Sequence, residues 1–148
     1  MLKFSVPGKP QGKARARTFY NYNLHRMQSI TPENTVLYEN LIKTSYQNQA
    51  DKENFSGYFK KEPLRVCIVA IFDVPKSTSK KKKQAMFSGE EYPCKKPDSD
   101  NIAKTICDAL NRLAYGDDTQ ICELTVQKRY ISDLNELPEV VVTIEEIV

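Results

Sequence analysis

The chain has 148 residues, 40% of them apolar and 28% charged, with a formal net charge of +3. That length supports a single domain over residues 1–148 with a real core, not two large ones. No apolar stretch approaches the roughly 20 residues that span a bilayer, and the alternating start Met1-Leu2-Lys3-Phe4-Ser5 is no signal peptide, so the protein is expected in the cytoplasm with no membrane partner.

Leu2, Phe4 and Val6 alternate with Lys3 and Ser5 and predict a first strand ending at Pro7-Gly8. Gly8 to Arg17 follows as a basic loop, with Phe19, Tyr20 and Tyr22 behind it; residues 1–32 carry six Lys or Arg and no acid. Lys13, Arg15 and Arg17 beside aromatics suit phosphate contacts combined with base or sugar stacking, although a plain solubilising loop has the same composition. No Gly-Lys-Ser/Thr follows, so this is not a P-loop. Thr31-Pro32 predicts a capped helix start, with a helix to about Gln49 that turns Val36, Leu37, Leu41, Ile42 and Ser45 inward and is flanked by Tyr38 and Tyr46. Residues 50–62 read as a polar loop, and Leu64 to Val74, apolar on both faces, reads as the central strand. The segment from Val74 to Gly89 holds five lysines and no acid. Lys80, Lys81, Lys82 and Lys83 are expected in a mobile stretch that grips a nucleic-acid backbone or is simply solvated. A helix from Asn101 to about Ala114 turns Ile102, Ala103, Ile106, Ala109, Leu110 and Leu113 inward. A strand from Ile121 to Ile131 turns Cys122, Leu124 and Val126 inward, and Val140 to Ile144 forms the last strand. The order β-α-β-α-β-β predicts an α/β (α+β) domain with one mixed sheet packed by two main helices.

The chemistry concentrates around the second helix. Asp98 and Asp100 lie at its entrance, Lys104 sits one turn beyond Asp100, and Asp117-Asp118 follows its end at Tyr115-Gly116. If the next strand pairs beside the one leading toward Asp98, the turn brings Asp118 to the same place. Magnesium takes hard oxygen ligands, often one or two carboxylates plus substrate phosphate, so an acidic cluster in a basic protein fits metal-dependent phosphodiester hydrolysis with Lys104 on the phosphate. Asp98 or Asp100 as a helix cap, and Gly116-Asp117-Asp118 as an ordinary turn, remain the competing readings of the same residues. Lys95 and Lys96, just before the acidic pair, belong with the basic surface. Four cysteines without a Cys-x-x-Cys pair and one histidine, His25, give poor support for a zinc site. Cys67, Cys107 and Cys122 read as small core residues, and Cys94 lies in a polar loop.

The run Lys96-Pro-Asp-Ser-Asp-Asn-Ile-Ala-Lys-Thr-Ile-Cys-Asp-Ala-Leu-Asn111, followed by Tyr115-Gly-Asp-Asp-Thr-Gln-Ile121, closely resembles the RusA family of Holliday-junction resolvases. The N-terminal Phe4-Ser-Val-Pro-Gly-Lys-Pro10 and Lys13-Ala-Arg-Ala-Arg17 also resemble the family's phage-borne and Gram-positive members. The resemblance implies that Asp98, Asp100 and Asp118 are metal-binding catalytic carboxylates and that Lys104 assists catalysis. Asn101 and Asp117 match motif positions as well, and Asp108 lies in the pattern with a possible structural role. It further implies a homodimer that nicks two strands of a four-way DNA junction symmetrically with magnesium, for which manganese is a candidate substitute. A branched-DNA-binding module without cleavage, and a nuclease for another branched or flap substrate, are the alternatives.

Overall fold

A computed structural model describes all of residues 1–148. Its order is β1 (Leu2–Pro7), β2 (Arg17–Asn21), β3 (Arg26–Ile30), α1 (Glu33–Lys52), β4 (Leu64–Phe72), α2 (Lys80–Ser88), α3 (Ser99–Leu110), β5 (Ile121–Tyr130) and β6 (Glu139–Glu146). Four strands form one mixed sheet in the order β1-β6-β4-β5. β4 runs parallel to β5 and antiparallel to β6, which in turn runs antiparallel to β1. The expected α+β domain with a mixed sheet is what forms.

One face of this sheet carries the core. Leu2, Phe4 and Val6 of β1 register against Val140, Val142 and Ile144 of β6, and Leu64, Val66, Ile68 and Ala70 of β4 continue the same layer. α3 closes the layer with Ile102, Ile106, Ala109 and Leu110, the face its spacing predicts. β4 is central, as expected, but only one of its faces is fully covered: Cys67 and Val69 on the other are half-buried. There Arg65 is held between Glu123 and Glu145 on the flanking strands.

Several expectations are corrected. α1 buries Thr35, Tyr38, Ile42, Tyr46 and Ala50, leaving Val36, Leu37 and Leu41 exposed. The i, i+4 row from Tyr38 through Ile42 and Tyr46 to Ala50 lies over β1, where Tyr46 meets Phe4 edge-on at 5.5 Å, so the tyrosines reach the core while Val36, Leu37 and Leu41 do not. α1 starts at Glu33 without a side-chain cap, its first turn instead bonding back to the Pro32 carbonyl. The aromatic stretch after the basic loop is a separate antiparallel hairpin of β2 and β3. The lysine run is no mobile stretch: Ser79 accepts from the Lys82 amide, and the run forms the first turn of α2. Cys122 and Leu124 are exposed, because β5 is the sheet's edge and α3 stands off from it across a cleft.

The turn between β5 and β6 is fixed by Glu136, which takes two bonds from the Arg129 guanidinium at 2.8 and 2.9 Å and one from the Ser132 amide at 2.8 Å. Its carboxyl falls from 4.5 to about 2, with the Arg129 bond the main cause. A depressed carboxyl stabilises the fold above its unfolded value, and that contribution disappears as pH falls through the folded one. Glu136→Gln is therefore expected to lower the melting temperature near neutrality. It should also flatten the loss of stability between about pH 4.5 and about pH 2 in circular-dichroism melts; parallel acid profiles for the two proteins would count against this pair.

Candidate active site

Asp100 and Lys104 project from α3 into a cleft of about 480 Å3 against β5, and Asp108, two turns beyond Asp100, lines it as well. Asp118 enters from the turn before β5, and Ala103, Ile121 and Leu124 supply an apolar wall. The parallel pairing of β4 with β5 puts the start of β5 alongside α3. Both Asp100 and Asp118 are exposed. The sequence places Asp98 with them, but its side chain lines an adjoining cavity instead, bounded by the basic loop.

The competing readings of these aspartates can now be separated. Asp98 occupies the N-cap position of α3, yet its carboxylate makes no capping bond; only its backbone carbonyl accepts, from Ile102. Asp100, in the first turn, is likewise not a cap. The turn reading does hold for Asp117, which accepts from the Thr119 hydroxyl at 3.1 Å. Gln120 binds the same turn, accepting from the Gly116 amide at 2.8 Å and the Asp117 amide at 3.1 Å while donating to the Glu62 carbonyl at 3.1 Å. Asp118 is what this turn presents to the cleft.

The electrostatics show surplus negative charge. The Asp118 carboxyl is pushed up, first by its hydrogen bond with Asp117, then by desolvation and the charges of Asp117 and Asp108. Asp117 is held low, chiefly by the Thr119 hydroxyl. Hard carboxylate oxygens that repel one another are a donor set suited to magnesium. No three acidic side chains converge on one point, so the cleft offers Asp100 and Asp118 as a pair, which suits an ion that keeps several waters and takes phosphate oxygens.

The basic residues are spread over five places. Lys13 is clamped at its backbone by Asn101, whose Oδ1 accepts the Lys13 amide at 3.1 Å and whose Nδ2 donates to the Lys13 carbonyl at 3.3 Å. Its ammonium reaches Asp108 at 3.5 Å and Glu39 at 3.9 Å. Arg15 and Arg17 lie exposed where the loop enters the hairpin, with Phe19, Tyr20 and Tyr22 also open to solvent. Lys96 lines the adjoining cavity, whereas Lys95 sits over the Tyr130 ring at 5.6 Å. Lys128 sits over Phe72 at 5.3 Å and donates to the Lys95 carbonyl. Lys80 to Lys83 form the first turn of α2. Sequence reasoning missed Lys128, hidden in strand alternation, and the clamping roles of Asn101 and Gln120, whose partners are distant in the chain.

A family model described as endodeoxyribonuclease RusA matches residues 7–145. The chain belongs to the RusA endodeoxyribonuclease family. The Bacillus subtilis (strain 168) protein named "Uncharacterized protein YqaN" is 32% identical over 149 aligned residues, covering 99% of this chain and 96% of that protein. RusA membership makes the chain a DNA nuclease of the junction-resolving kind. The cleft lies wholly inside the RusA match, as do Asn101 and Gln120. No helix is long and apolar enough to cross a membrane.

Proposed function

We propose that this RusA protein resolves four-way DNA junctions in the cytoplasm as a homodimer, making paired symmetric nicks with magnesium, for which manganese can substitute. The observation that carries the reading is one cleft shared by Asp100, Lys104 and Asp118, with Asp98 and Asp100 free of the capping bonds that would otherwise account for them. Asp100 and Asp118 would hold the ion from the cleft, and Asp98, on the wall of the adjoining cavity, would join them only by turning its side chain across the start of α3. The bound ion supplies a Lewis acid for the phosphate and an acidified water. Lys104 holds a non-bridging phosphate oxygen and balances charge that grows there during cleavage. Lys13 neutralises Asp108, so the far end of the cleft does not repel the strand. A two-fold dimer matches a near-two-fold junction, giving one cleft to each strand to be cut.

The test incubates protein with an end-labelled immobile junction and the matching linear duplex, with and without magnesium or manganese. Paired nicks on the junction alone, only with metal, are expected. Cutting of both substrates would discard junction selectivity, and binding without cutting in either metal would leave a non-catalytic module.

α2 extends the DNA surface. Its lysines crowd the positive end of the helix dipole, an arrangement that costs stability unless anions sit nearby, and of the four only Lys82 has an acidic partner, Glu91 at 3.6 Å. Changing Lys80, Lys81, Lys82 and Lys83 to Ala together is expected to reduce the slope of log affinity against log salt by about 2 to 4. An unchanged slope in a filter-binding titration would remove α2 from the DNA path.

A further inference from the structure

The largest cavity, about 790 Å3, lies beside the catalytic cleft and not within it. Its walls are the loop from Lys9 to Ala14, Asn34 and Leu37 from the start of α1, and Lys96-Pro97-Asp98 leading into α3. We propose that this cavity receives the nucleotide next to the scissile phosphate and that Gln11 and Asn34 read its base, which sets where along a junction the protein cuts. The proposal rests on the nuclease reading above.

Each part of a nucleotide finds its counterpart. The volume lies within the roughly 300–1,000 Å3 typical of small-molecule sites. Leu37 is 58% exposed and offers an apolar surface to the flat face of a base. Gln11 and Asn34 each carry an amide with both donor and acceptor atoms, the pairing geometry used elsewhere to read base edges. Both side chains are exposed and spend neither amide on a hydrogen bond within the protein. Lys9 and Lys96 on the walls have no acidic partner, in contrast to Lys13, whose ammonium is already held by Asp108 and Glu39.

The cavity is built in advance. Asn101 holds the Lys13 backbone from both sides, and the Ala14 amide donates to the buried Thr35 hydroxyl at 3.2 Å. Gly12 allows this close approach: a Cβ there would lie 2.3 Å from Asn101 Nδ2 and 3.1 Å from Pro97 Cβ. The same helix start that presents Asp100 to the cleft presents Asp98 to the cavity. A strand bound at the cleft therefore runs directly into the cavity past Asp98, and a pinned loop reads the base without paying to order itself.

Sixteen immobile junctions that differ only in the branch-point dinucleotide test this, with binding titrated in calcium and cutting timed in magnesium. The wild type is expected to spread roughly tenfold or more across the set. In Gln11→Ala/Asn34→Ala that spread should collapse, the favoured junctions falling roughly tenfold to the level of the disfavoured ones, which change little. Lys96→Ala should instead weaken every junction alike. A wild type without spread, or a spread that survives in the double variant, overturns the proposal. Sequence-dependent binding that the double variant loses, with no cutting in any metal, would keep the cavity and sink the nuclease reading. Cutting without sequence dependence would do the reverse.

Discussion

Asp100→Asn is expected to slow junction cleavage by about 10³-fold while junction affinity stays the same or rises. The substitution keeps the shape of the side chain and removes its charge. Losing a metal-binding oxygen anion costs several kcal/mol of transition-state stabilisation, and each 1.36 kcal/mol is about tenfold in rate. Affinity moves the other way because Asp100 shares its cleft with Asp118, and both carboxylates repel the phosphate. Folding should be untouched: the residue is exposed, and α3 draws on no side-chain cap. Single-turnover cleavage, gel-shift affinity in calcium and a circular-dichroism melt on the same preparation decide the matter. A lowered melting temperature with parallel losses of binding and cutting would mean that Asp100 serves the helix and not the reaction.

The residues were legible where a single element's own periodicity decided the outcome. Ile102, Ala103, Ile106, Ala109 and Leu110 fall inside on α3 as their spacing predicts, and β4 takes the centre of the sheet. Legibility failed where a neighbouring element chose the face. On α1, Tyr38 and Tyr46 are core because β1 lies beneath them, a fact no window on 33–52 contains. On β5, Cys122 and Leu124 alternate like core residues, yet the edge strand and the gap to α3 leave Leu124 47% exposed. That same gap is the cleft, so the failed burial pattern marked the site. The β2–β3 hairpin escaped notice because Arg17, Asn21 and Arg26 break the apolar alternation of a strand that covers no core. Asp98 and Asp100, two positions apart in the chain, line different cavities because the helix begins between them. Asn101 and Gln120 looked like accompaniment to the acidic motif because their partners, Lys13 and the Phe59–Glu62 segment, lie far away in sequence.

Gln120→Glu tests whether the turn that carries Asp118 depends on this side chain. Its Oε1 accepts two amides, from Gly116 and Asp117, and its Nε2 donates to the carbonyls of Glu62 and, at 3.4 Å, Phe59. The fit is close, since a Cβ on Gly116 would lie 3.3 Å from Oε1 and 3.1 Å from the Tyr58 hydroxyl. A glutamate keeps the acceptor but turns a second oxygen toward two carbonyls and adds charge beside Asp117 and Asp118. Loss of the donor is expected to cost about 2–3 kcal/mol, which lowers the melting temperature by roughly 5–10 °C for a domain of this size. Cleavage measured well below that temperature should still fall by about 10²-fold, because displacing Asp118 against Asp100 by about 1 Å is enough to cost that much. A carboxyl facing carbonyls has a raised folded-state value, so it stabilises when protonated and loses that contribution as pH rises through that value. The gap in melting temperature between variant and wild type should therefore narrow at about pH 4 and widen at neutrality. Identical melts at both pH values with unchanged cleavage would show that the backbone alone holds Asp118 in place.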